Sequence, residues 1–169
     1  RIRSRGLGDV YKRQAFGGGV GLISCCDIAL ASENSIFSLS EVKVGLIPAT
    51  ISPYVINAIG ARNARRLFTS GERFDSNIAK QINLVHEIAK EEDLEKRISY
   101  FINHFKQNGP QAVIAAKKIV LDIFNKEIDD SVISHTCEVI SALRTSKEGR
   151  EGVTACLLYT SDAADETTG

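Results

Sequence analysis

The chain of 169 residues has no methionine, three prolines and four cysteines. A sequence without methionine reads as part of a longer frame. Cys25, Cys26, Cys137 and Cys156 make no C-x-x-C pair, and the three left once Cys156 is set aside make no even framework. That excludes a disulfide scaffold and favours a reducing cytoplasm with free, buried thiols. Neither sign of charge dominates, the formal net charge being zero, so bulk charge offers nothing to nucleic acid. No apolar run approaches the roughly 20 residues of a membrane helix, so no membrane partner is expected.

Local catalytic and metal motifs are also missing. His86 and Glu87 begin H-E, but Lys90 stands where H-E-x-x-H needs its second histidine. His104 and His135 lack an acidic residue at ligand spacing, so no metal is expected. Ser40 to Lys43 fits S-x-x-K without S-D-N or K-T-G. A phosphate loop of the form G-x-x-x-x-G-K-[ST] is absent, and Ser24 spoils G-x-G-x-x-G after Gly19 and Gly21.

The two ends stand apart. Ser4 to Gln14 (SRGLGDVYKRQ) and Cys156 to Glu166 (CLLYTSDAADE) back-translate into sequences resembling the adapters of transposase-based sequencing libraries. Residues 1–14 and 156–169 are therefore expected to be translated artefact, leaving 15–155 as the biological segment. Setting the ends aside removes Arg1, Arg3, Arg5, Lys12 and Arg13 but also Asp9, Asp162, Asp165 and Glu166. The segment keeps a net charge of about −1 and enough length for one domain with a real core.

What is present falls into a strand-rich half and a helical half. Gly17, Gly18 and Gly19, with Gly21 close behind, predict a strand-to-helix turn and a helix over about 19–26. Strands are expected over 27–31 and 35–40, then a turn or short helix over 41–48 stopped by Pro48. A helix begins at Ser52, carries Pro53 in its first turn and ends at Gly60. A basic helix over 63–69, with Arg62, Arg65 and Arg66, presents a solvated face. Asp75 caps a helix over 76–81, and a strand follows over 84–88. Three long helices complete the pattern over 92–107, 110–125 and 130–145, the last with Val132, Val139, Ile140 and Leu143 on one stripe.

Backbone N–H groups at a helix N-terminus can hold a developing negative charge, such as a phosphate or a thioester enolate oxygen. A glycine cluster serves close packing equally well, and Glu41 alone would suit a first helical turn as a solvated carboxylate.

The ordered motifs AFGGGVGL, CCDIALAS, FSLSEVKVGLIP, ARNARRLFTSGERFD and NLVHEI, with RTSKEGREGVTA further on, resemble the crotonase (enoyl-CoA hydratase/isomerase) family. The resemblance covers 15–155. It implies an α/β fold, the C-terminal part of a crotonase (ClpP-like) β-β-α spiral over 15–70. A helical trimerisation region follows over 71–155. Gly18 is then one oxyanion N–H donor, the other lying on an upstream loop outside this sequence. Glu41 is the second of the family's two catalytic glutamates, while Gly21 stands where the first belongs. Gly17, Gly19 and Gly21 join the substrate site, and Leu46, Pro48 and Ala49 line the acyl pocket.

GGGVGL, LSEV-x-x-GLIPA and ISPYV resemble a narrower group, the bacterial 3-methylglutaconyl-CoA and isohexenylglutaconyl-CoA hydratases of leucine and terpene breakdown. The implied function is hydration of a branched, carboxylated enoyl-CoA, with Gly21 leaving room for the bulk. A Δ3,Δ2-enoyl-CoA isomerase and a non-catalytic acyl-CoA-binding subunit are the alternatives. The expected partner is an acyl-CoA thioester, with coenzyme A part of the substrate and no separate cofactor. A homotrimer or hexamer in the cytoplasm is expected of the whole protein, and the segment alone is expected to be inactive.

Overall fold

A computed structural model of the chain describes residues 13–165, with side chains through residue 157. Two compact units divide between Ser99 and Tyr100. Of the two ends expected to be artefact, 1–12 and 166–169 lie outside the described residues.

The described residues of the first unit hold two small sheets, three α-helices and the start of a fourth. Strand β1 (Gln14–Phe16) runs parallel to β3 (Ile36–Ser38), which pairs antiparallel with β4 (Arg73–Asp75). Strand β2 (Leu30–Ser32) runs parallel to β5 (Glu87–Ala89) in a separate pair. Helix α1 (Gly18–Ser24) follows β1 directly, and α2 (Ser52–Ser70) lies against it. Helix α3 (Ser76–Gln81) follows β4. Pairing of β4 with β3 places 73–89 in this unit rather than with the helical region, where the sequence had suggested it.

Several elements follow from local chemistry. Helix α2 carries Pro in its first turn, where a missing N–H breaks no bond. Gly60, at φ 75° and ψ 156°, interrupts it, and Gly71 at φ 57° ends it. The expected pair of helices, one ended at Gly60 and one over 63–69, is thus present as two segments meeting at a kink. Asp75 caps α3, its Oδ1 accepting from Ile78 N–H at 2.9 Å.

Other boundaries moved. The Cys25 and Cys26 N–H groups bond back to Leu22 and Ile23, so 27–29 is connection and the strand is Leu30–Ser32. Leu84 and Val85 were expected in a strand, yet both donate to the Ala79 carbonyl and close α3. Only Glu87–Ala89 pairs.

Burial of the apolar stripes holds this unit together. Val55, Ile59, Ala64 and Leu67 of α2 pack with Val20 of α1, and Phe37 stacks on Phe74 across β3 and β4 at 5.6 Å. Leu39, Ala79, Leu84 and Val85 complete the core.

The second unit contains α5 (Pro110–Ile123), α6 (Asp130–Thr145) and α7 (Lys147–Asp165), with the later part of α4 (Leu94–Gln107). Asp129 caps α6 through Val132 N–H at 2.9 Å. Glu148 caps α5 from a distance, accepting from the N–H groups of Gln111 (3.1 Å) and Ala112 (2.9 Å). No described residue of this unit is buried, and Ile114, Leu121, Phe124, Ile128, Ile133 and Ile140 are exposed. Ile140 thus stands clear of the stripe expected on α6. The expected helical region over 71–155 includes α7, which was not singled out as a separate helix and whose backbone continues beyond 155.

Candidate active site

The turn between β1 and α1 depends on Gly17, whose φ of 51° with ψ of −114° is a conformation that disfavours any side chain. Its N–H donates to the Ser38 carbonyl at 2.9 Å. Its carbonyl accepts from Val20 (2.9 Å) and Gly21 (3.2 Å), starting the helix. The N–H groups of Gly18 and Gly19 precede those donors and have no hydrogen-bond partner among the described residues. Gly18 is exposed, with open space where a Cβ would stand. Such donors suit an oxygen carrying developing negative charge.

Glu41 reaches the same end of the sheet by a different route. Strands β1 and β3 are parallel and in register, Phe16 opposite Ser38, so the segments leaving them emerge together. Glu41 opens a 3-10 turn (Glu41–Val44) closed by Lys43 N–H to Ser40 and Leu46 N–H to Glu41. Gly45, at φ 74°, ends the turn. Gly71 underlies it, where an added Cβ would lie 3.1 Å from Val42 and from Lys43. Ser38 Oγ donates to the Gly71 carbonyl at 3.3 Å, fixing that approach from the sheet. Glu41 is half-buried, and its Oε2 is buried without a hydrogen-bond partner. A buried carboxylate oxygen lacking a partner is unusual in a protein interior and is often kept for chemistry.

The remaining predicted residues are distributed around this end. Leu46 and Ala49 are exposed, whereas Pro48 is buried in the loop leading to α2. Gly19 is half-buried beside Ala15. Gly21 is buried and faces Ile51, so the room expected there for a bulky acyl group is already filled by a side chain. Nothing in the sequence couples 21 with 51, and Ile51 was missed for that reason. The supporting roles of Ser38 and Gly71 were also missed. A cavity of 280 Å³ bordered by Ile23, Leu30, Phe37 and Leu94 includes none of the predicted site residues.

Charged groups nearby are structural. Arg66 grips Glu72 with two hydrogen bonds, 2.8 and 3.2 Å, and that bonding holds the Glu72 carboxyl below its ordinary range. Arg62 and Arg65 are exposed, in keeping with a solvated face.

One expectation needs correction. Cys25, Cys26 and Cys137 are free but exposed rather than buried, the first two because they sit in the turn leaving α1. The fold brings His135 to Asp122 Oδ2 at 3.1 Å, a partner on α5 that lies outside ligand spacing in the sequence.

The glycine turn and the carboxylate-bearing turn thus leave adjacent parallel strands of one α/β unit. The chain belongs to the enoyl-CoA hydratase/isomerase family, whose model matches residues 12–157. The crotonase fold is shared with an enoyl-CoA hydratase/isomerase from Legionella pneumophila. That structure is 43% identical, with a TM-score of 0.82 over 86% of this chain and 56% of that one. An enoyl-CoA hydratase from Shewanella pealeana is also 43% identical, with a TM-score of 0.81 over 86% of this chain and 54% of its own. Among curated proteins, the enoyl-CoA hydratase ACTT6 of Alternaria alternata is 34% identical over 121 residues, 71% of this chain and 41% of that protein. The chain thus spans about half the length of the relatives it matches. No helix among the described residues is long and apolar enough to cross a membrane.

Proposed function

We propose that the full-length protein is an enoyl-CoA hydratase acting on a branched, carboxylated acyl thioester such as 3-methylglutaconyl-CoA. The observation that carries this reading is the buried, unpartnered Oε2 of Glu41 at the sheet end where Gly18 presents a free N–H. Gly18 holds the thioester oxygen as negative charge develops on it, and Glu41 moves the proton between water and the acyl carbons. Gly17 and Ser38 keep the two groups at one edge. Leu46, Pro48 and Ala49 follow Glu41 on the same loop and line the acyl pocket. Coenzyme A enters as part of the substrate, and no separate cofactor is invoked.

The absence of a carboxylate at Gly21 favours one alternative, a Δ3,Δ2-enoyl-CoA isomerase, since a single carboxylate suffices to carry a proton between two carbons. Ultraviolet absorbance of the conjugated thioester separates the readings. Hydration removes the absorbance with uptake of one water, whereas isomerisation moves the double bond without it. A protein that binds 3-methylglutaconyl-CoA and turns over nothing would be an acyl-CoA-binding subunit, and the catalytic reading would fall. Exposed apolar residues on α5 and α6 support assembly of the whole protein as a homotrimer or hexamer. A cytoplasmic location remains part of the same proposal.

A further inference from the structure

Gly21 is the buried residue one turn into α1, and the side chain nearest to it comes from the start of α2. A Cβ at position 21 would stand 2.7 Å from Ile51 Cβ and nearer still to its Cγ2. Real Cβ atoms do not approach so closely. The obstruction is also stiff. Ile51 is β-branched, with few side-chain rotamers open to it. Its Cβ is fixed by the backbone, whose carbonyl accepts from Val55 N–H at 3.0 Å as α2 begins. Ile51 packs on the core with part of its surface still accessible. It cannot swing clear without moving the start of α2.

Position 21 is therefore closed to a side chain in this protein, and the closing group is hydrocarbon. A side chain leaving position 21 would meet Ile51 at its first carbon. Pro48 and Ala49, just before Ile51, belong to the loop that leaves the Glu41 turn, tied through Leu46 N–H to the Glu41 carbonyl at 3.0 Å. Ile51 thus lies where the Glu41 loop, α1 and α2 converge.

We infer that Ile51 is a specificity-determining residue, interlocked with Gly21, whose side chain forms an apolar wall against the branch methyl of the acyl group. The specificity part rests on the proposed hydratase reading, whereas the interlock does not. A missing second carboxylate is then the consequence of a packed side chain, and the polar end of the substrate must lie away from this wall.

A double-mutant cycle in the full-length protein tests the interlock. Gly21→Ala, Ile51→Gly and the pair are compared by thermal unfolding. Gly21→Ala is expected to lower Tm in the Ile51 background and to lower it far less beside Ile51→Gly, which removes the obstructing Cβ together with Cγ2. Equal losses in both backgrounds, or no loss at all, would overturn the interlock. If Gly21→Ala yields no folded protein alone but folds in the pair, the interlock is supported. Ile51→Val, a milder change, is the second probe.

Kinetics test the wall. Ile51→Ala is expected to reduce the kcat/KM preference for 3-methylglutaconyl-CoA over crotonyl-CoA roughly tenfold, the scale of a lost apolar contact, with Ile51→Val in between. An unchanged ratio in an active enzyme overturns the specificity role. A parent protein that hydrates neither thioester overturns the hydratase reading and the wall with it, while the Tm cycle still decides the interlock.

Discussion

The N–H of Gly17 donates to the carbonyl of Ser38 at 2.9 Å, tying the glycine turn to the strand that leads into Glu41. Gly18 lies one residue beyond the first partner and Glu41 three beyond the second. A single backbone bond thus couples the proposed charge-stabilising amide to the proposed proton carrier.

Gly17 should tolerate no side chain. At φ 51° and ψ −114° an alanine would carry backbone strain on the order of 1–3 kcal/mol. Gly17→Ala is expected to lower stability in urea unfolding and to weaken thioester turnover together. Parent-like stability would show that the turn does not need glycine.

Asp75→Ala removes the side-chain acceptor for Ile78 N–H at the start of α3 and should cost about 1 kcal/mol. Asp75→Asn, which keeps an acceptor, is expected to recover most of it. Equal losses in the two variants would assign the effect to charge rather than to the cap.

Those local devices were legible in the sequence. Pro53, Gly60 and Asp75 each act within a turn of their own position, so residue type predicts geometry. The glycine turn and Glu41 were legible through family motifs, although neither residue type identifies a site by itself. Contacts between distant segments were not legible. Gly21 faces Ile51, Glu148 caps α5 and Asp122 meets His135 only after the chain has folded back. Strand 84–88 was misplaced because Leu84 and Val85 are apolar like a buried strand, yet their N–H groups serve the end of α3.

Glu148→Ala should loosen the start of α5, since it leaves the Gln111 and Ala112 N–H groups without their carboxylate. Amide exchange at those two positions is expected to speed up. Glu151→Ala, which loses only a 3.8 Å approach to Lys147 among the described ion pairs, should leave exchange there unchanged. Matching rates in the two variants would contradict the cap.

Acid should destabilise both units. Arg97 bonds hold the Glu87 carboxyl below its ordinary range, and the Val132 N–H does the same for Asp129. A carboxyl with a lowered folded pKa adds stability above its unfolded value, about 4, and loses it as pH falls through the folded value. Tm should therefore fall on acidification below about pH 4, and Glu87→Gln should show a shallower fall. A steeper fall in that variant would reverse the sign assigned to the pair.

The most direct measurement is the loss of enoyl-thioester absorbance with 3-methylglutaconyl-CoA in the full-length protein, parent against Glu41→Gln. The parent should remove the absorbance with uptake of water. The variant should bind the thioester with similar affinity and lose most turnover, on the order of a hundredfold or more. A Glu41→Gln variant that hydrates the thioester as fast as the parent would contradict the assignment of Glu41 as the proton carrier.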